Sequence, residues 1–305
     1  MKSDEYEIGR LIMGMRAAYA RGENAMAWAR ANSEGGDNTL VSALVAYDLQ
    51  AGSYVEWART NLNYNNKWCA QLAGLIQPHV EAGDHVMEVG VGEATTLAGV
   101  IKAVNRPNLS VLGFDMSWSR IKVAQEWIAE SSVDARLFVG DLFHIPLADN
   151  SIDVIYTAHT LEPNGGREIA AITELLRVAR KAVVLVEPLY ELASELAQKR
   201  MLEHGYVTGL KSTAEQLGAK VVQYGLLDIC DGPHNPSGVV CMVKPDPVSR
   251  SKIEMGSWRC PLTGIPLIDQ GDIFYAEQVG IAYPVMRSVP LLRREHGVIA
   301  SKILS

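Results

Sequence analysis

Apolar and polar positions along this chain fall into three textures. Over residues 1–75 the apolar residues of LIMGMRAAYA, NAMAWARA and TLVSALVAYDL recur at helical spacing, and nothing alternates as a strand would. Helices are therefore expected throughout that extension. Gly35 and Gly36 break the run, and Asp37 or Asn38 is placed to cap the next helix. From residue 84 short apolar runs alternate with amphipathic stretches. The runs are HVMEVG, LSVLGFD, ARLFVGD, IDVIYTA, AVVLVEP, KVVQYGLL and GVVCMVK. Helices are expected between them over 95–104, 117–130, 166–180 and 189–204. In the second of these Trp118, Ile121, Ala124 and Ile128 share one face and Ser117 stands as N-cap. Gly205 lies where a C-cap glycine belongs.

Strands joined by helices predict an α/β fold, a seven-stranded and mostly parallel sheet with helices on both faces. The link between the last two runs, CDGPHNPSG, is a turn-rich loop with no helix, which predicts an antiparallel final strand. A linker-like stretch around Pro245–Ser249 then separates a small β-rich module. Three regions result: a helical extension over 1–75, a central domain over 76–247 and the module over 250–305.

Composition narrows the classes. Hydrophobic residues make up 48% of the 305 positions, enough to bury a substantial core. The net charge of −7 speaks against a protein built to grip phosphate backbones, although residues 250–305 are slightly basic. No apolar run approaches the ~20 residues that span a bilayer, and the start, MKSDEYEIGR, has no signal-type core, so a cytoplasmic location is expected. The four cysteines form no C-x-x-C pair; neither a common zinc knuckle nor a disulfide framework is expected, and no metal site.

The chemistry concentrates where runs end. The first run closes in Glu88-Val89-Gly90-Val91-Gly92-Glu93-Ala94 and a helix opens directly after it. Gly90 and Gly92 let the backbone turn tightly and approach a ligand, and the helix N-terminus beyond offers unpaired N–H groups. Dinucleotide enzymes use the same arrangement, so this turn alone fits either ligand. The second run ends in Asp115, placed for two ribose hydroxyls, followed by Met116. The third ends in Asp141-Leu142, placed for an adenine amine and a ring nitrogen. Ligands of open α/β sheets bind at that edge of the strands.

The segments VMEVGVGEAT, LGFDMS, VGDLFHIPLADNSIDVIYTAHTLE and ELLRVARKAVVLVEP resemble the successive motifs of Rossmann-like class I S-adenosylmethionine-dependent methyltransferases, over residues 54–245. The resemblance implies that S-adenosylmethionine is the cofactor. It implies that Glu88, Gly90 and Gly92 hold its methionine end, Asp115 its ribose, and Asp141 and Leu142 its adenine, with Met116 also among the cofactor-binding residues. The stretch from Thr157 onward would lie beside the methyl group. Ala94 replaces the usual third glycine, and Pro163 replaces the second histidine of a common His-x-x-Glu-His pattern.

After the fourth run, His159 and Glu162 are the catalytic candidates. His159 either takes a proton from an acceptor hydroxyl or packs against the cofactor. Methyl transfer from a sulfonium needs little beyond in-line positioning, so both readings stand. Tyr54, Tyr64, Asn164, Glu187 and His234 are candidates for the acceptor site; Glu187 equally suits a structural hydrogen-bonding role. The module, with Cys-Pro early and Ala-Tyr-Pro-Val and Val-Pro-Leu-Leu late, resembles the zinc-ribbon-like activator domain of tRNA and protein methyltransferases over 257–294. Cys260 stands alone there, so a stabilising or dimerising add-on is expected rather than a metal module. The expected function is methylation of a hydroxyl on a sugar or other small molecule. RNA or protein as acceptor, a silent cofactor-binding activator subunit and a nicotinamide-dependent oxidoreductase are the alternatives, and a homodimer is compatible with the appended elements.

Overall fold

The computed structural model describes residues 2–32, 39–230, 234–250 and 256–303; Gly35, Gly36, Asp37 and Asn38, and the Asp231–Pro233 part of the last loop, lie outside the described residues. The extension is helical as expected, with α1 (Lys2–Ala20), α2 (Ala25–Asn32), α3 (Leu40–Leu49), α4 (Ser53–Thr60) and α5 (Leu62–Ile76). Met15, Ala25, Ala29 and Ala46 form a small core of their own among α1, α2 and α3.

The central sheet contains β1 (His85–Val89), β2 (Ser110–Asp115), β3 (Arg136–Val139), β4 (Ile152–Ala158), β5 (Ala179–Pro188), β6 (Lys220–Leu226) and β7 (Ser237–Val243). Their order is β3-β2-β1-β4-β5-β7-β6, parallel through β5, with β7 antiparallel to both its neighbours. The helix-free loop before β7 does reverse the chain direction. Between β1 and β4 the winding switches sides, and such a switch opens a crevice at the carboxyl ends of the strands.

Helices α6 (Thr95–Val104), α7 (Trp118–Glu130), α8 (Glu168–Val178), α9 (Glu195–Glu203) and α10 (Leu210–Gln216) complete the domain. Alternation along β1 sorts its side chains: Met87 and Val89 join a core with α8 and α10, while Val86 joins another with α5, α6 and α7. Two expected helices change at their ends. The 166–180 helix stops at Val178, because Ala179 and Arg180 already belong to β5. The 189–204 helix is split into a 3-10 turn over Tyr190–Leu192 and α9, where the Ser194 hydroxyl accepts from the Ala197 N–H and starts a new helix.

Helices α5 and α6 approach closely at Gly99. A Cβ there would lie 2.5 Å from Cys69 Sγ. Overpacking of this kind costs about 1–3 kcal/mol, against at most ~1 kcal/mol of helix propensity gained. Gly99→Ala is therefore expected to lower the thermal unfolding midpoint; a raised midpoint would show that the two helices can separate freely.

The C-terminal module is an antiparallel sheet of β8 (Ile268–Asp269), β9 (Ile273–Ala276), β10 (Ile281–Met286), β11 (Val289–Pro290) and β12 (Val298–Ile299). It docks on the outer edge of β3. Leu291 bridges Val139 in parallel fashion and the Leu292 N–H donates to the Val139 carbonyl at 2.8 Å. Trp258 stands edge-on to Phe138 and Phe274, with centroids 5.1 and 5.2 Å away. Polar ties from α7 join it: Trp118 Nε1 donates to the Met286 carbonyl and Gln125 Nε2 to the Ser288 carbonyl. The described helices include none long and apolar enough to cross a membrane.

Candidate active site

Glycine turn and strand ends. Gly90 and Gly92 take φ of +70° and +53°, the left-handed region. Ala94, where a third glycine is usual, adopts φ +58° as well, at a cost of about 1–2 kcal/mol. As the N-cap of α6 it provides no side-chain acceptor, so the first N–H groups of that helix are left without a cap. Asp115 braces the turn: Oδ2 accepts the Gly92 N–H at 3.1 Å and Oδ1 the Ser117 N–H at 2.9 Å. Burial pushes its carboxyl up, against the pull of those amides and of Arg120. Met116 lies between these two anchors. At the end of β3, Asp141 Oδ1 accepts the Phe143 N–H at 3.0 Å, and Leu142 beside it is buried.

Glu88 points from β1 toward the α5–α6 side, 2% exposed, where the Tyr156 hydroxyl donates to its Oε2 at 2.8 Å. Burial raises its carboxyl to about 8, so it is largely protonated at neutral pH.

The rim after β4. His159 has φ +57°. Its Nδ1 lies 3.0 Å from Glu162 Oε2, and its Nε2 lies 2.8 Å from Ser237 Oγ on β7. A carboxylate only accepts, so Nδ1 carries a proton, and in the neutral ring Nε2 then holds the lone pair that receives the Ser237 hydroxyl. Thr157 and Glu187 face each other instead of an open cleft. Glu187, with no exposed surface, accepts from the Thr157 hydroxyl at 2.7 Å and from the Thr160 and Glu162 N–H groups, which fixes the loop that carries His159. Asn164 likewise ties its own loop, donating to the Thr160 and Leu161 carbonyls. His234 is exposed on the loop before β7.

The helical cap. Tyr54 lies over the turn: a Cβ at Gly92 would meet its ring at 3.6 Å. Tyr64 packs edge-on to Trp57 one helix further along, with centroids 5.5 Å apart. Beneath Tyr54 runs a latch that sequence reasoning missed. Arg120, 1% exposed, donates to Glu93 Oε1 at 3.2 Å and to the Tyr47 carbonyl at 2.9 Å, and its guanidinium stacks 4.2 Å from the Tyr54 ring centroid. Glu93, fully buried, also accepts the Gly52 and Val55 N–H groups that open α4. Asp48 adds a second clasp, accepting the Ser117 hydroxyl at 2.7 Å and the Ser119 N–H and hydroxyl. Glu93 sits inside the glycine motif, which was the one available signal; its partner lies 27 residues away in sequence.

A family model described as a methyltransferase domain matches residues 86–182, the stretch holding the glycine turn and all three strand-end acids. Residues 86–182, 97 of the 305, carry that match. The cofactor of that family is S-adenosylmethionine. Among relatives, a probable methyltransferase of Aspergillus luteorubrus is 25% identical over 122 residues, 37% of this chain and 42% of the relative, so the match spans less than half of that protein. Solved structures to which the chain is similar include the complex of the Haloferax volcanii Trm112 methyltransferase activator with a methyltransferase (16% identity, TM-score 0.49, 65% of this chain and 98% of that one). Another is an S-adenosyl-L-methionine-dependent methyltransferase from Methanococcus maripaludis (13%, 0.48, 66% and 95%).

The strand ends and the glycine turn fit S-adenosylmethionine on their own chemistry. The uncapped start of α6 suits a carboxylate, Glu88 beside the turn suits an ammonium once it gives up its proton, and Asp115 and Asp141 offer acceptors to ribose hydroxyls and an adenine amine. Among the described residues no cluster of His, Cys, Asp and Glu could hold a metal ion.

Proposed function

We propose that this chain transfers a methyl group from S-adenosylmethionine to a hydroxyl oxygen on a sugar or other small metabolite in the cytoplasm. The observation that carries the reading is the alignment of Glu88, Asp115 and Asp141 at three consecutive parallel strand ends around a left-handed glycine turn. When bound, the cofactor supplies an electrophilic methyl on a sulfonium. Gly90, Gly92 and Glu88 would hold its amino-acid end, Asp115 with Met116 its ribose, and Asp141 with Leu142 its adenine.

Proton handling falls to the rim. The Nε2 lone pair of His159, shared here with Ser237, is where the acceptor's proton would be held, and Glu162 on Nδ1 stabilises the imidazolium that forms. Thr157 and Glu187 act by fixing that loop. Tyr54 and Tyr64 on the cap, with Asn164 and His234 on the facing loops, would bound the acceptor's entrance. The net charge of −7 supports a small acceptor over RNA. The module's docking along the β3 edge supports a built-in activator that works by stabilising the domain, with the division at about residue 250 as its boundary.

Calorimetric titration with S-adenosylhomocysteine and, separately, with NAD tests the reading. The first alone should bind. Asp115→Ala removes charge-assisted hydrogen bonds to two hydroxyls, each worth about 1.5–3 kcal/mol, so binding should weaken at least ~100-fold. Binding of NAD instead, or of neither ligand, would overturn the reading.

A further inference from the structure

The C-terminal module reaches past the β3 edge into the cofactor site. Beyond the Leu292–Val139 hydrogen bond the chain runs on to Arg294, whose Nη1 lies 3.0 Å from His144 Nε2. The other ring nitrogen, Nδ1, lies 3.4 Å from Asp141 Oδ2. We infer that Arg294 and His144 are positioning residues that orient the Asp141 carboxylate toward the cofactor's adenine amine, so that the appended module takes part in base selectivity.

The order of donors follows from chemistry. A guanidinium has no acceptor, so it can approach Nε2 only as donor to a lone pair. A neutral imidazole with its lone pair on Nε2 carries its proton on Nδ1. That proton points at Asp141 Oδ2, while the Phe143 N–H occupies Oδ1. Both carboxylate oxygens are thereby held by the protein in one plane, each with a lone pair left for a ligand donor. Packing does not fix the ring by itself, since His144 borders a cleft of about 320 Å³ between domain and module, shared with Phe143, Cys260 and Gly264. Without Arg294 the proton is free to move to Nε2, which turns a lone pair toward the carboxylate and loosens its aim. The pair is partly exposed, 38% for His144 and 27% for Asp141, so a moderate effect is expected.

The inference rests on the proposed cofactor, and the test separates the two. The dissociation constants of S-adenosylhomocysteine and S-inosylhomocysteine are measured on the full chain, as wild type, Arg294→Ala, Arg294→Lys and Asp141→Asn. The inosine base carries an oxygen where adenine carries the amine. Arg294→Ala should weaken the adenosyl ligand about 5-fold and leave the inosyl ligand unchanged, narrowing the discrimination. Arg294→Lys, still a pure donor, should restore it, and Asp141→Asn should narrow it further. Nitrogen NMR of the His144 ring should show the Nδ1–H form in wild type and a mixture in Arg294→Ala. An unchanged ratio, or equal losses for both ligands, would overturn the inference and leave the cofactor assignment standing. A wild type that binds neither ligand would overturn both.

Discussion

Arg120→Met is expected to cost about 3–5 kcal/mol of folding stability, the loss typical of breaking a buried ion pair from one side. The arginine is almost wholly enclosed, and Glu93 is entirely so. Removing the cation leaves Glu93 with a choice of two losses. It stays ionised without its counter-charge, or it takes up a proton and weakens the acceptor that the Gly52 and Val55 N–H groups share. Either way α4 and its Tyr54 lose their seat over the glycine turn. Denaturant unfolding measures the loss, and limited proteolysis should cut the segment between α3 and α5 faster in the variant. The double variant Arg120→Met, Glu93→Gln removes both charges and should recover part of the stability. A single variant within ~1 kcal/mol of wild type would mean that the buried pair does not hold the cap.

Glu88 carries the second large effect. Its carboxyl titrates near 8 in the fold, against 4.5 for the ordinary side chain, with burial as the cause and the Tyr156 hydrogen bond opposing it. Between those two values the folded chain holds a proton that the unfolded chain has released. Stability from this group is thus fully present below about pH 4.5 and declines as pH rises toward 8, by up to about 5 kcal/mol at 1.36 kcal/mol per unit. Glu88→Gln should keep the Tyr156 hydrogen bond and lose the slope. Unfolding free energies at pH 5.5, 7 and 8.5 should therefore show the variant gaining on wild type as pH rises; parallel curves would refute the buried-acid account. A cationic amino group bound beside Glu88 should also expel its proton. Calorimetry of S-adenosylhomocysteine in buffers of different ionisation heat would then report proton release at pH 7 that the variant lacks.

Much of this was legible in the chain. Seven apolar runs gave seven strands, the turn-rich CDGPHNPSG link marked the direction change before β7, and Ser117 caps α7 as its position suggested, accepting the Arg120 N–H. Helix ends were less so. Ala179 and Arg180 could extend a helix or begin a strand, and pairing with β4 decided for the strand. The seven-residue α10 is too short to carry a periodic signal. At the site, strand-end acids could be placed because topology puts strand ends together. Glu187 could not be assigned to ligand or scaffold, since a buried carboxylate and a rim carboxylate look alike in sequence. Ser237, 78 residues from His159, and Arg120 beneath the glycine turn are long-range partners that no local spacing announces.

The seal on β3 has a consequence for the order of synthesis. Leu291 and Leu292 emerge from the ribosome some 150 residues after the strand they cover. Until then the growing chain presents β3 as a bare edge, with backbone groups ready to pair with any other extended segment. A message cut short before the module would therefore yield more than a weakened enzyme. Its product would keep an open template for self-association, at the edge that Leu291 and Leu292 cover at Val139 in this chain.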